Sequence, residues 1–213
     1  AALKAGGGKA VLSVDGSWKE KPDVAIVVFG EDPYAEFQGD RATVDYDSDD
    51  GLKLLRKFQQ AGIPTVSVFI TGRPLWVNPE LNASTAFVTA WLPGTEGGGV
   101  ADVLIAGANG KARYDFTGRL SFSWPDNAAQ VAVNVGDKGY APLFAFGYGL
   151  SYASGGDVAK LHENSGLSAV SISDVGRFIA YGDVLGSWKL NLQDAGGNAV
   201  ITDSRGVSPA GHA

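Results

Sequence analysis

Three short apolar runs constrain what this chain can fold into. They are Val24–Phe29 (VAIVVF), Thr65–Ile70 (TVSVFI) and Ala86–Trp91 (AFVTAW). Runs of this length without regular polar alternation suit strands covered on both faces. Between the first two lies SDDGLKLLRKFQQA, residues 48–61, whose Leu52, Leu55 and Phe58 fall on one helical stripe. Ser48 or Asp49 can cap its start, and Gly62 followed by Pro64 ends it. A short helix is predicted over Asn78–Ala83, with Pro79 in its first turn. Another is predicted over Gly98–Ile105, stopped by Gly107. Strands alternating with helices predict an α/β fold: a mostly parallel sheet with helices on both faces. Arg119–Ser123 (RLSFS) alternates and reads as one more strand, ended by Trp124-Pro125.

The composition changes after Tyr152. Residues 153–175 begin Ser/Gly/Asp-rich and read as a linker or long surface loop. Phe178–Tyr181, Ser187–Leu192 and Ala199–Thr202 are short alternating runs with DAGGN as a turn signal. The predicted organisation is an α/β domain over residues 1–152, a linker over 153–175, and the start of an incomplete β-rich module over 176–213. With 45% hydrophobic and 19% charged residues the chain can bury a core. A net charge of −6 without a Lys/Arg cluster argues against a nucleic-acid partner. The apolar runs are far short of the ~20 residues needed to cross a bilayer, so no membrane partner is expected. The absence of Cys removes disulfides, thiolate metal sites and cysteine nucleophiles. The absence of Met suggests a processed chain or a piece of a larger one.

In an open parallel sheet, ligands bind beyond the carboxyl ends of the strands. Three loops leave those ends: Gly30–Asp40, Thr71–Trp76 and Trp91–Gly99. Together they collect Glu31, Tyr34, Glu36, Asp40, Arg73, Trp76, Trp91 and Glu96 on one edge. Carboxylates beside aromatic rings suit a sugar: carboxylates accept hydroxyl hydrogen bonds or donate a proton, and flat rings stack on sugar faces. Competing motifs fail. Gly6–Ala10 lacks the spacing and the Ser/Thr of a phosphate loop. Asp45–Asp49 starts like a calcium loop, but Asp50 stands where Gly is needed and Arg56 where Glu is needed. His162-Glu163 has no second His one helical turn on, and no G-x-S-x-G elbow occurs. No metal and no cofactor are expected.

Five ordered blocks carry a more specific signal. They are GEDPYAEFQGD after VAIVV, TGRPL after the second strand, AWLPGTEGGGVADVL, TGRLSFSWP, and NVGDKGYAPLFAFGYGLSY. Over residues 10–152 this resembles the second catalytic domain of family 3 glycoside hydrolases, the β-glucosidases and exo-β-glucan hydrolases. The resemblance implies an α/β sandwich that supplies an acid/base Glu to a nucleophile-bearing barrel domain. Here the acid/base falls to Glu36, with Glu31 as the alternative and otherwise a loop anchor bonded to backbone amides. Tyr34, Asp40, Arg73, Trp91 and Glu96 would then bind substrate or position loops. The implied substrates are β-glucosides and β-glucan oligosaccharides, met in the periplasm or outside the cell. The family's short Ser-Asp-Trp nucleophile motif does not occur in this sequence. The missing barrel domain is therefore an implied partner. The alternative is a non-catalytic fragment or weak glucan-binding module, inactive without that barrel. Residues 153–213 weakly resemble an extra β-rich module of some bacterial members.

Overall fold

The computed structural model describes residues 7–34, 39–167, 179–180, 183–184, 189–194 and 197–201. The chain divides into two compact units, Ala1–Gly166 and Leu167–Ala213. The first is an α/β unit. Its strands are β1 (Ala25–Gly30), β2 (Thr65–Ile70) and β3 (Ala86–Trp91), parallel and in the order β1-β2-β3. Its helices are α1 (Asp50–Gln60), α2 (Asn78–Asn82) and α3 (Gly97–Leu104). Each apolar run became a strand and each predicted helix formed within two residues of its expected bounds. Among the described residues, no helix is long and apolar enough to cross a membrane.

The first turn of α1 holds Asp50, and Gly62 follows the helix with φ of 62°. Neither Ser48 nor Asp49 makes a close side-chain cap: the Asp50 amide donates to Ser48 Oγ only at 3.5 Å. Asp49 instead pairs with Lys53 at 2.6 Å, one turn on. The buried face of α1, Leu55 and Phe58, packs on Ala25 and Val27 of β1 and on Ile63 and Ala83. A second cluster joins Phe69, Leu75, Val77 and Trp124, bordered by Phe29, Phe87 and Tyr46. Register pairs Phe29 with Phe69, and Ser67 with Phe87, so both clusters lie on one face of the sheet. Strands in sequential order joined by crossovers of one hand put both connections on the same side. Val68 of the central strand is buried, but Ile26 and Val28 on the opposite face of β1 are 41% and 63% exposed.

Arg119–Ser123 is not a strand, although it alternates. The Leu120 and Trp124 amides donate to the carbonyls of Tyr148 and Phe144 at 2.9 and 2.8 Å. The chain bends at Ser121–Phe122 between those two points, which breaks the ladder. Leu161–Ser165, in the stretch read as linker or surface loop, is tied to the α/β unit. Asn82 accepts from the Leu161 amide and donates to its carbonyl, both at 2.9 Å. Glu163 pairs with Arg56 at 2.9 Å, and His162 with Asp126 at 3.2 Å. In the second unit, β4 (Ile179–Ala180) pairs antiparallel with β5 (Asp183–Val184), and β6 (Leu190–Asp194) with β7 (Gly197–Ile201). The sequence DAGGN spans the junction of β6 and β7.

One buried carboxyl gives the unit a pH-dependent stability. Glu80 on α2 is 5% exposed, and burial pushes its pKa from 4.5 up to about 7, against the opposing pull of its own backbone amide and Arg56. Glu163 adds a smaller upward push; the Tyr46 phenol is raised chiefly by its own burial, with the Glu80 charge adding to it. The folded state therefore holds the Glu80 proton more tightly than the unfolded chain does. Stability falls as pH rises from 4.5 to about 7, by on the order of 3 kcal/mol, and then levels. Glu80→Gln should remove this slope and stabilise the protein at pH 8, as read by urea unfolding at pH 5 and pH 8. An unchanged slope in the variant would assign the pH dependence to other groups.

Candidate functional site

All three strands point the same way, so the loops after Gly30, Ile70 and Trp91 leave from one edge. The first two are joined at once. The Glu31 amide donates to the Ile70 carbonyl at 3.0 Å, extending the β1–β2 pairing by one residue. The second and third are joined by the Thr71 amide, which donates to the Trp91 carbonyl at 3.2 Å. Here the register shifts, so that Ile70 pairs with Trp91, and Trp91 takes a left-handed φ of 54°. A non-glycine residue there costs about 1–2 kcal/mol, and neighbouring contacts must hold it.

At this junction the Glu31 carboxylate is fully engaged. Its side chain is 7% exposed. Oε1 accepts from Arg73 Nε at 2.9 Å and from Arg73 Nη2 at 2.7 Å. Oε2 lies 2.6 Å from the Thr71 hydroxyl. That hydroxyl is also 2.7 Å from the Arg73 carbonyl and accepts from the Arg73 amide at 3.2 Å. Thr71 thus folds the Thr-Gly-Arg turn back on itself while facing the carboxylate. Arg73 also donates through Nη1 to the Gly39 carbonyl. Its guanidinium lies over the Tyr34 ring, 4.5 Å from the centroid. The Tyr34 ring packs against Gly39 and its hydroxyl against Gly72; a side chain at Gly39 would overlap the ring, and one at Gly72 the hydroxyl.

The structure therefore brings Glu31, Tyr34 and Arg73 together, with the Trp91 carbonyl one residue away through Thr71. The Trp91 ring is half-buried, 6.3 Å from the Trp124 ring. Asp40 and Glu96 are exposed and bond neither Glu31 nor Arg73. Glu36 lies outside the described residues. Trp76 is a correction: it is 9% exposed and belongs to the core, not to a sugar-facing edge. Its amide donates to the Val44 carbonyl at 2.6 Å and its carbonyl accepts from the Tyr46 amide at 3.3 Å. Among the described residues, Glu31 bonds side chains of the next loop and no backbone amide. Thr71 escaped sequence reasoning as its partner; a hydroxyl two residues before an Arg was the available signal. A groove of about 360 Å³ beyond Pro74, lined by Phe122, Val131, Val135 and Phe146, holds no carboxylate. Among the described residues, no three His, Asp or Glu side chains gather to hold a metal ion.

The family model described as "Glycosyl hydrolase family 3 C-terminal domain" matches residues 9–152. A lysosomal beta glucosidase of Dictyostelium discoideum is 35% identical over 142 residues, 63% of this chain. A periplasmic beta-glucosidase of Salmonella typhimurium is 29% identical over 157 residues, again 63% of this chain. The crystal structure of an exo-1,3/1,4-beta-glucanase from a Pseudoalteromonas species is similar over 94% of this chain, with TM-score 0.77 and 44% identity. The chain spans 16% and 20% of the two relatives' lengths and 25% of the solved chain.

Thr71 is fully buried, so its hydroxyl is open to a direct test. Thr71→Val leaves a Glu31 oxygen and the Arg73 amide short of a partner and should cost about 1–3 kcal/mol in urea unfolding. Thr71→Ser keeps the hydroxyl and should retain most of that stability. Equal stability of all three proteins would show that the turn does not depend on the hydroxyl.

Proposed function

Because this chain belongs to glycosyl hydrolase family 3, as its C-terminal domain over residues 9–152, we propose that it is the acid/base-bearing part of a retaining β-glucosidase or exo-β-glucanase. The acid/base is Glu36, acting with a nucleophile carboxylate on a partner barrel domain. The observation that supports Glu36 over Glu31 is the engagement of Glu31. Both Glu31 oxygens are already bonded within a nearly closed shell, so that carboxylate is not free to reach a glycosidic oxygen. Glu36 is then the glutamate of the first loop left for proton transfer.

Chemically, a retaining glycosidase needs two carboxyl groups about 5–5.5 Å apart across the scissile bond. The nucleophile attacks the anomeric carbon as Glu36 gives its proton to the departing oxygen, leaving a glycosyl-enzyme ester and a free aglycone. Water then attacks the same carbon as the Glu36 carboxylate takes its proton, which releases the sugar and restores both groups. The substrates are β-glucosides and β-glucan oligosaccharides. Relatives named as periplasmic and lysosomal support a periplasmic or secreted site of action.

A second reading has its own support. The chain spans a quarter or less of these relatives. By itself it is then a folded non-catalytic part or a weak glucan-binding module, inactive without the nucleophile-bearing domain. Both readings are tested by assaying an aryl β-glucoside with the chain alone and joined to that domain. Glu36→Gln in the joined protein should lower turnover at least about 10²-fold, and azide should rescue Glu36→Ala. A full-rate Glu36→Gln protein would reject Glu36. Turnover by the chain alone would reject the second reading and locate a nucleophile within it.

A further inference from the structure

Resting on the reading of Glu36 as acid/base, we propose that Arg73 is a positioning residue for it, a single cation that fixes both flanks of the segment in which it lies. An arginine side chain is a planar fork of five N–H donors. Here the fork is used in three directions. Nε and Nη2 hold Glu31 Oε1, Nη1 holds the Gly39 carbonyl, and the flat of the group rests on Tyr34. Tyr34 and Gly39 are the described residues on either side of positions 35–38, and Glu36 occupies one of those positions in the sequence. The two flanks also touch each other, since the Tyr34 ring covers Gly39.

The cation is itself referenced to the sheet. Glu31 is bonded through its amide to Ile70 at the end of β2. Thr71 is bonded through its amide to Trp91 at the end of β3. Position is therefore transmitted from the three strand ends to Glu31 and Thr71, then to Arg73, then to both ends of the loop. Lysine would not serve. Its ammonium is a compact charge on a flexible stem and cannot form the two-pronged contact while stacking on Tyr34.

Such a role has a distinct kinetic signature. A displaced general acid harms departure of a poor leaving group far more than departure of one that needs no proton. A scaffold defect that only lowers the folded or active fraction scales all substrates alike. Both comparisons use the protein joined to its nucleophile-bearing domain, with an alkyl β-glucoside and a dinitrophenyl β-glucoside. Arg73→Lys and Arg73→Gln should lower kcat/KM for the alkyl glucoside by about 10–100-fold and for the dinitrophenyl glucoside by less than about 3-fold. Glu31→Gln, which keeps size and loses charge, should shift the same ratio in the same direction and serves if an Arg73 variant does not fold. Equal losses on both substrates, or no loss, would overturn the positioning role. If Glu36→Gln itself fails to discriminate between the two substrates, the assignment of Glu36 falls, and that outcome is separate from either Arg73 result.

Discussion

The ion pair between Glu31 and Arg73 is the constraint on which this edge of the molecule depends. Two residues far apart in sequence meet because parallel strands deliver their loops to one side. A nearly buried carboxylate must be paired and hydrogen-bonded, or its desolvation is not offset. Glu31 meets that demand with a two-pronged contact and a hydroxyl. The same demand fixes Arg73, and through it Tyr34 and Gly39. A pair of this kind adds little net stability compared with an apolar substitute, but losing one partner strands the other. Its worth therefore lies in geometry.

The order of elements was legible because the apolar runs and the capped helix are local signals. Val24–Phe29, Thr65–Ile70 and Ala86–Trp91 needed no long-range information to be read as strands. What surrounds a strand is not local. An unbroken apolar run such as VAIVVF reads alike at the centre or the margin of a sheet, and only topology left Ile26 and Val28 uncovered. Trp76 misled for a related reason. It follows a loop-like Thr-Gly-Arg-Pro, yet Leu75, Trp76 and Val77 are all buried, Leu75 and Val77 in a cluster with Phe69 and Trp124, and Trp76 pairs with Asp45 some thirty residues earlier. Alternation in RLSFS was genuine, but a bend at Ser121–Phe122 interrupted the ladder it announced.

The two glutamates of the first loop show the limit most clearly. Glu31 and Glu36 stand five residues apart, and residue type alone leaves their roles open. The distinction for Glu31 comes from Thr71 and Arg73, partners supplied by another strand end. Family resemblance ranked the two residues, whereas the contacts of Glu31 supply a physical reason for it to hold the loop. Asp40 and Glu96 sit in the same loops by sequence, but exposure and the lack of bonds to Glu31 or Arg73 set them apart from the anchored cluster.

The open side of β1 has a consequence for how the chain behaves in company. Among the described residues, β1 pairs on one edge only, with β2. Its sequence is uncharged, rich in β-branched residues and free of proline, the composition that favours strand stacking between molecules. Charges bracket it closely: Lys19, Glu20, Lys21 and Asp23 before, Glu31 and Asp32 after. Glu31 is neutralised by Arg73, so on the C-terminal side Asp32 is the exposed gatekeeper. Colloidal solubility at this edge thus rests on a few flanking charges, and salt that screens them brings neighbouring molecules closer.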